Sequence, residues 1–224
     1  MASGSMNGTA TSCGTVSRTL TEVGGVDLTV SGIAIIDLYG AEQTDAPVVT
    51  SGHPFSVSVT VTNSGSLDAG GLYISASMDG AVLGDPLYLE ALPAGVSADL
   101  IWHEVVESGI GDHSVTATVD PTGAVDESNP DGTAEANNDL SIGMTVRAAE
   151  WTVAIYMDSD NNLEAYGILD FLEMSEVGSS QSVSIVAQMD RAPGYSIDYG
   201  DWTGTERFLV TNGMTSTQDS SYEH

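Results

Sequence analysis

Basic residues are almost missing from this chain. It has no lysine and four arginines (Arg18, Arg147, Arg191 and Arg207) against 32 acidic residues, a formal charge of −28 over 224 residues. A nucleic-acid partner needs a basic footprint to neutralise phosphates, so this composition argues against one. It argues equally against attraction to anionic membranes. Cysteine is scarce too. Cys13 is the only one, which excludes an intrachain disulfide framework. It sits among small polar residues with no apolar stretch before it, so an unpaired thiol is a simpler reading than a lipid anchor. No run of 18 apolar residues occurs, hence no membrane-spanning helix is expected, and no signal-peptide pattern opens the chain. A missing leader ordinarily points to the cytoplasm; the alternative is that Met1 is internal to a longer protein.

What is present can build a core, because hydrophobic residues make up 41% of the chain. The acidity is spread along the whole length, which suits a solvated surface, high salt or a divalent-cation-rich exterior. Residues 1–25 are rich in Gly, Ser and Thr and read as a linker or frayed edge.

Residues 26–148 carry the period of β-strands. Val26-Asp27-Leu28-Thr29-Val30 alternates, and Phe55, Val57, Val59 and Val61 alternate with Ser56, Ser58, Thr60 and Thr62. Leu72, Ile74, Ala76 and Met78 repeat the pattern before Asp79-Gly80, a type I′ hairpin signal. Turn residues recur at Asn63-Ser64-Gly65, Leu92-Pro93-Ala94-Gly95, Ser108-Gly109 and Asp120-Pro121-Thr122-Gly123. About seven strands without helical period predict an antiparallel β-sandwich, with Trp102 in its core.

From residue 149 the pattern changes. Trp151 to Met157 is nearly continuous in apolar residues, as in a strand buried on both faces. Ala165, Ile168, Leu169 and Leu172 then mark one face of a helix, with Asn161 and Glu164 at capping-box spacing and Gly178 as its stop. Val183 to Met189 is a second buried strand, so a parallel βαβ unit is expected, followed by a strand at Arg207 to Val210. One such unit cannot cover both faces of a parallel sheet, so residues 149–224 read as the opening part of an α/β domain.

These residues carry two family resemblances. Val26-Asp27-Leu28, Val57 to Gly65, Leu92-Pro93-Ala94-Gly95, Val115 to Asp120, Val125-Asp126-Glu127 and Asn137-Asn138 resemble, in that order, the CARDB domain. This is the cell-adhesion-related Ig-like module of bacterial and archaeal surface proteins. Trp151-Thr152-Val153, Tyr156-Met157 and Asp160-Asn161-Asn162-Leu163-Glu164 come next. With Gln188-Met189-Asp190-Arg191, Pro193-Gly194-Tyr195 and Gly200 to Thr205, they resemble the N-terminal part of the clostripain family of cysteine peptidases. The second resemblance implies a caspase-like α/β fold, a His/Cys dyad, cleavage after arginine, and calcium dependence. The family's histidine ends an aliphatic strand in a His-Gly pair, with the cysteine on the next strand. His224 follows no apolar strand, and Cys13 lies ahead of the sandwich, so no catalytic residue is assigned to this chain.

The fold class expected is therefore multidomain: an all-β Ig-like sandwich followed by a partial caspase-like α/β domain. The function expected is that of the N-terminal portion of a secreted clostripain-like endopeptidase carrying an adhesion or spacer module. The alternative is a non-enzymatic extracellular adhesion or scaffold protein. Asp158, Asp160, Asn161 and Asn162 follow a parallel strand where open sheets place ligands, so they are the substrate-binding candidates, suited to a guanidinium. Helix capping is the plain alternative for the same residues. Loops starting at Asp158 or Asp120 both fail the EF-hand pattern. Asp120, Asp126 and Glu127, with Asp131, Asn137 and Asn138 nearby, remain candidates for a non-EF calcium site or a solvated acidic turn. His53, His103 and His113 show no zinc spacing. The partners expected are a peptide or protein substrate and a cell-surface partner for the β domain.

Overall fold

The computed structural model describes residues 24–220; Cys13, Arg18 and His224 lie outside the described residues. Ten strands form the first part: β1 (Leu28–Ile36), β2 (Glu42–Gln43), β3 (Val48–Thr50), β4 (Pro54–Asn63), β5 (Leu72–Met78), β6 (Ala81–Val82), β7 (Leu87–Leu89), β8 (Ser97–Val106), β9 (Gly111–Val119) and β10 (Asp139–Arg147). One sheet has the order β2-β1-β4-β8, the other β3-β10-β9-β5-β6 with β7 also beside β5. The alternation in β4 buries Phe55, Val57, Val59 and Val61 and turns the residues between them outward. These valines pack with Ile33 and Ile35 from β1 and with Ile74, Val115, Ala117 and Val119 from the facing sheet. The two-layer architecture follows, since each sheet has one apolar face to remove from water. The hairpin at Asp79-Gly80 forms as its residues dictate, with φ of 49° and 84° at the two turn positions and Met78 paired with Ala81. Trp102 is a core residue.

Three residues separate β10 from β11 (Trp151–Ser159), which is followed by α1 (Glu164–Val177), β12 (Val183–Arg191) and β13 (Gly204–Leu209). β11 and β12 are parallel, in register from Trp151↔Val183 to Ser159↔Arg191, and β13 adds antiparallel to β12. The strand–helix–strand unit is thus the expected one, but its packing differs in three respects. β11 is not buried on both faces: it is the edge of the order β11-β12-β13, and Trp151, Thr152, Val153 and Ala154 are all exposed. α1 covers one face of the sheet only, so an apolar run there does not amount to double burial. The buried face of α1 is Glu164, Ile168, Phe171 and Ser175, whereas Ala165 and Leu169 are exposed. Phe171 stands edge-on to Phe208 of β13 with ring centroids 5.0 Å apart, and this contact sets the helix rotation. The capping box is also not formed. Leu163 occupies the cap position, Asn161 Oδ1 accepts from the Leu163 N–H at 2.8 Å, and Glu164 turns inward.

Gly167 lets α1 lie against β11, because a Cβ there would overlap the Ser159 hydroxyl. Gly167→Ala is expected to lower the unfolding free energy of this second unit by about 1–3 kcal/mol through overpacking. Ser159→Ala in the same chain should recover part of that loss. Thermal or urea unfolding of the two variants checks this, and an unchanged Gly167→Ala would show that the helix does not sit this close.

Candidate functional site

The parallel register brings the C-terminal ends of β11 and β12 together, so Asp158 and Ser159 lie beside Asp190 and Arg191. Around this edge Asp158, Asp160 and Asn162 are exposed. Asn161 is engaged within the turn, donating from Nδ2 to the Asp158 carbonyl at 2.9 Å as well as accepting from Leu163. Three of the four residues expected at a substrate rim therefore share one exposed edge, and the fourth shapes the loop that carries them.

Beneath the rim lies a buried ion pair that charge counting did not single out. Arg191 and Glu164 side chains are both 0% exposed. Arg191 Nε donates to Glu164 Oε1 at 2.9 Å, Nη2 reaches the same oxygen at 2.7 Å, and Nη2 also donates to the Ser196 carbonyl at 3.1 Å. Glu164 Oε2 accepts from the Ala192 N–H at 3.3 Å. The guanidinium sits 4.8 Å from the Trp202 ring, and Trp202 Nε1 donates to the Ser216 carbonyl at 2.8 Å. Trp202 therefore packs the 192–204 turn beneath the sheet end. Arg191 Nη1 is buried with no hydrogen-bond partner among the described residues. The pair ties the start of α1 to the end of β12 and so fixes the loop between Ser159 and Glu164. The one available signal was that Glu164 and Arg191 each lie in a segment that resembles the clostripain family and that Arg191 is one of only two arginines after residue 150.

The acidic loop before β10 does a different job. Asp120, left-handed at φ 46°, accepts from the N–H groups of Ala124 at 3.0 Å and Val125 at 2.7 Å. Glu127 accepts from the Leu28 N–H at 2.5 Å and from Asn138 Nδ2 at 2.8 Å, and burial pushes its carboxyl above the usual range. Asp126 is exposed. Asp27 accepts from Asn129 and Asn137 Nδ2 at 3.2 and 2.9 Å, completing a polar seam between the start of β1 and this loop. Asp120 and Glu127 are thus engaged in holding chain N–H and amide groups. Among the described residues no group of three or more His, Cys, Asp or Glu side chains is placed to hold a metal ion. His113, on β9, bonds Asp79 Oδ2 and the Gly109 carbonyl, both at 2.7 Å, and is held above its ordinary range by that carboxylate. His103 reaches Ser56 Oγ at 3.3 Å.

A second polar set lies where the sandwich meets the N-terminal ends of β11 and β12. Gln181, in the turn before β12, accepts from Arg147 Nη2 at 3.2 Å and donates to Asp37 Oδ2 at 3.1 Å. Its carbonyl accepts from Thr50 Oγ1 at 2.8 Å. His53, in the turn before β4, bonds Ser184 Oγ through Nε2 at 2.7 Å. A groove of about 560 Å³ opens beside it over the sheet face that α1 leaves bare, between Tyr156, Val186, Gln188 and Arg207.

Comparison with solved structures returns CARDB domains among the similar folds. The CARDB domain of a Pyrococcus furiosus protein, solved in complex with di-metal ions, is 22% identical, with 55% of this chain and 94% of that one covered and a TM-score of 0.44. A domain of a Methanosarcina acetivorans protein provisionally assigned to the cell surface is 24% identical, with 54% and 91% covered and a TM-score of 0.41. No curated protein matches the chain. No helix among the described residues is long and apolar enough to cross a membrane. The CARDB family model matches residues 25–142, the segment that folds as the sandwich and more than half of the sequence, so the chain belongs to the CARDB family.

Proposed function

We propose that the chain is an extracellular CARDB module joined to the opening strand–helix–strand unit of a clostripain-like cysteine endopeptidase. In this reading the sandwich spaces the enzyme from a surface or docks it to a surface partner. The second unit supplies one wall of an arginine-selective pocket. The observation that carries the reading is the acidic rim of Asp158 and Asp160 at the C-terminal end of a parallel strand, held by the buried Arg191–Glu164 pair. Ligands in open α/β sheets sit at that end, and exposed carboxylates there suit a guanidinium. Among the described residues one sheet face is bare and the outer edge of β11 is unpaired, which agrees with a sheet that further elements complete. In this reading a thiolate attacks the scissile carbonyl, a histidine moves the proton and backbone N–H groups hold the oxyanion, all supplied from outside these 224 residues.

The test is hydrolysis of arginyl peptides, with and without calcium. The product of the whole gene should cleave them and lose activity on thiol alkylation. The 224 residues alone should not. Cleavage by the 224 residues would overturn the absence of a dyad. A whole-gene product that binds surfaces but never cleaves would favour the adhesion or scaffold reading.

A further inference from the structure

We propose that His53 is an acid-sensitive latch between the sandwich and the strand–helix–strand unit, releasing the second unit from the first while each stays folded. The latch joins two segments 131 residues apart through a 2.7 Å bond to Ser184 of β12. His53 is 4% exposed, walled by the sandwich on one side and the second unit on the other. Its Nδ1 faces the Tyr39 hydroxyl at 3.5 Å. Burial and the neighbouring Asp37 hold that phenol protonated, its pKa pushed up to about 12. Whichever tautomer the neutral ring takes, one of its nitrogens accepts from a hydroxyl, that of Tyr39 at Nδ1 or that of Ser184 at Nε2. A second ring proton turns that acceptor into a donor and places a charge on a side chain that is almost wholly buried.

The charged and titratable groups around the latch do little to offset this. Asp37 and Tyr39 face it from the turn after β1. Asp37 already accepts from the Tyr39 and Ala41 N–H groups and from the Gln43 and Gln181 amides. Arg147 at the end of β10 is bonded to Gln181, and Glu150 in the linker accepts from Ser182 Oγ at 3.3 Å. Glu107 after β8 offers its carbonyl to the Gly52 N–H, while its carboxylate accepts from Gly109. Arg207 stands across the groove, bonded to Gln188. Burial lowers the imidazole below its ordinary value. The sign follows from linkage: the docked state binds the proton less readily than the open one. Docking is strongest above the free imidazole value of about 6.5 and weakens as pH falls through the lower docked value.

The experiment measures N–H residual dipolar couplings of both units in the 224-residue chain between about pH 7.5 and about pH 5, alongside the His53 ring shifts; this window lies above the ordinary carboxylate range. One alignment frame should describe both units at the neutral end. Two frames should be needed at the acid end, with the midpoint on the His53 titration and the couplings within each unit unchanged. His53→Gln, which keeps an N–H for Ser184 and cannot titrate, should hold one frame throughout. A single wild-type frame over the whole window overturns the proposal, whether or not the ring titrates. So does a His53→Gln chain that separates with pH as the wild type does. Loss of the sandwich couplings in the same step would also overturn it. Should His53→Gln fail to fold, coincidence of the ring midpoint with frame separation carries the test alone.

Discussion

Glu164→Gln is expected to destabilise the second unit by about 3–5 kcal/mol, the cost of leaving one member of a buried ion pair without its counter-charge. The carboxylate has three donors: Nε and Nη2 of Arg191 and the N–H of Ala192. Glutamine keeps one acceptor oxygen for the guanidinium but presents an NH₂ to another donor. Arg191 Nη1, already without a partner, leaves the guanidinium no spare compensation. The core beneath is small, built on Met157, Ile168, Phe171, Ala187, Met189, Trp202, Phe208 and Val210, so it has little reserve. Hydrogen exchange should show the amides of α1 and β12 losing protection while β4 and β9 keep theirs. Arg191→Met with Glu164→Gln should cost less than the two single changes added together, because the double variant buries no charge. A single-variant cost below about 1 kcal/mol would mean that water reaches the pair, as it does for surface ion pairs.

This pair marks where sequence pattern stops being informative. Alternation placed β4 correctly, because one face of the sandwich meets the opposite sheet and the other meets water. It misjudged β11, since apolar content alone does not say which neighbours cover a strand, and β11 has α1 on one side and a free edge. In α1 the apolar residues at helical spacing included Leu169, which is 53% exposed, while Glu164 is fully buried. A polar residue takes the core-facing position because its partner comes from the end of β12, 27 residues away. The acidic rim was accessible from the strand–turn–helix order. The junction was not, since it depends on Gln181, Asp37, Thr50 and His53 meeting across the boundary between the two units. Nor was it legible that Asp120 and Glu127 hold backbone N–H groups, since a count of oxygen ligands in one loop does not show which donors they meet.

Asn63→Asp is the other substitution with a large expected effect, although it changes a single heavy atom. Asn63 ends β4 and is fully buried. Its Nδ2 donates to the carbonyls of Leu92 at 2.9 Å and Leu67 at 2.8 Å. Its Oδ1 accepts from the N–H groups of Gly65 at 3.0 Å and Asp27 at 3.3 Å. Its own N–H and carbonyl bond Val96 and Gly95. One side chain thus fastens the turn after β4, the start of β1 and the Leu92–Gly95 turn. Aspartate turns the two-donor end into an acceptor that faces two carbonyls, and it buries a charge with no cation beside it among the described residues. Each unsatisfied buried group costs about 1–3 kcal/mol, so a loss of at least about 3 kcal/mol from the sandwich is expected. Because the buried carboxyl regains stability by taking a proton, the deficit should shrink as pH falls toward the carboxylate range, opposite in direction to the His53 latch. Urea unfolding followed at Trp102, near neutral pH and in mild acid, checks both the size and the sign. A deficit that stays constant across that range would mean that the new carboxyl is ionised in the folded protein as it is in the unfolded chain, so that burial does not raise its proton affinity.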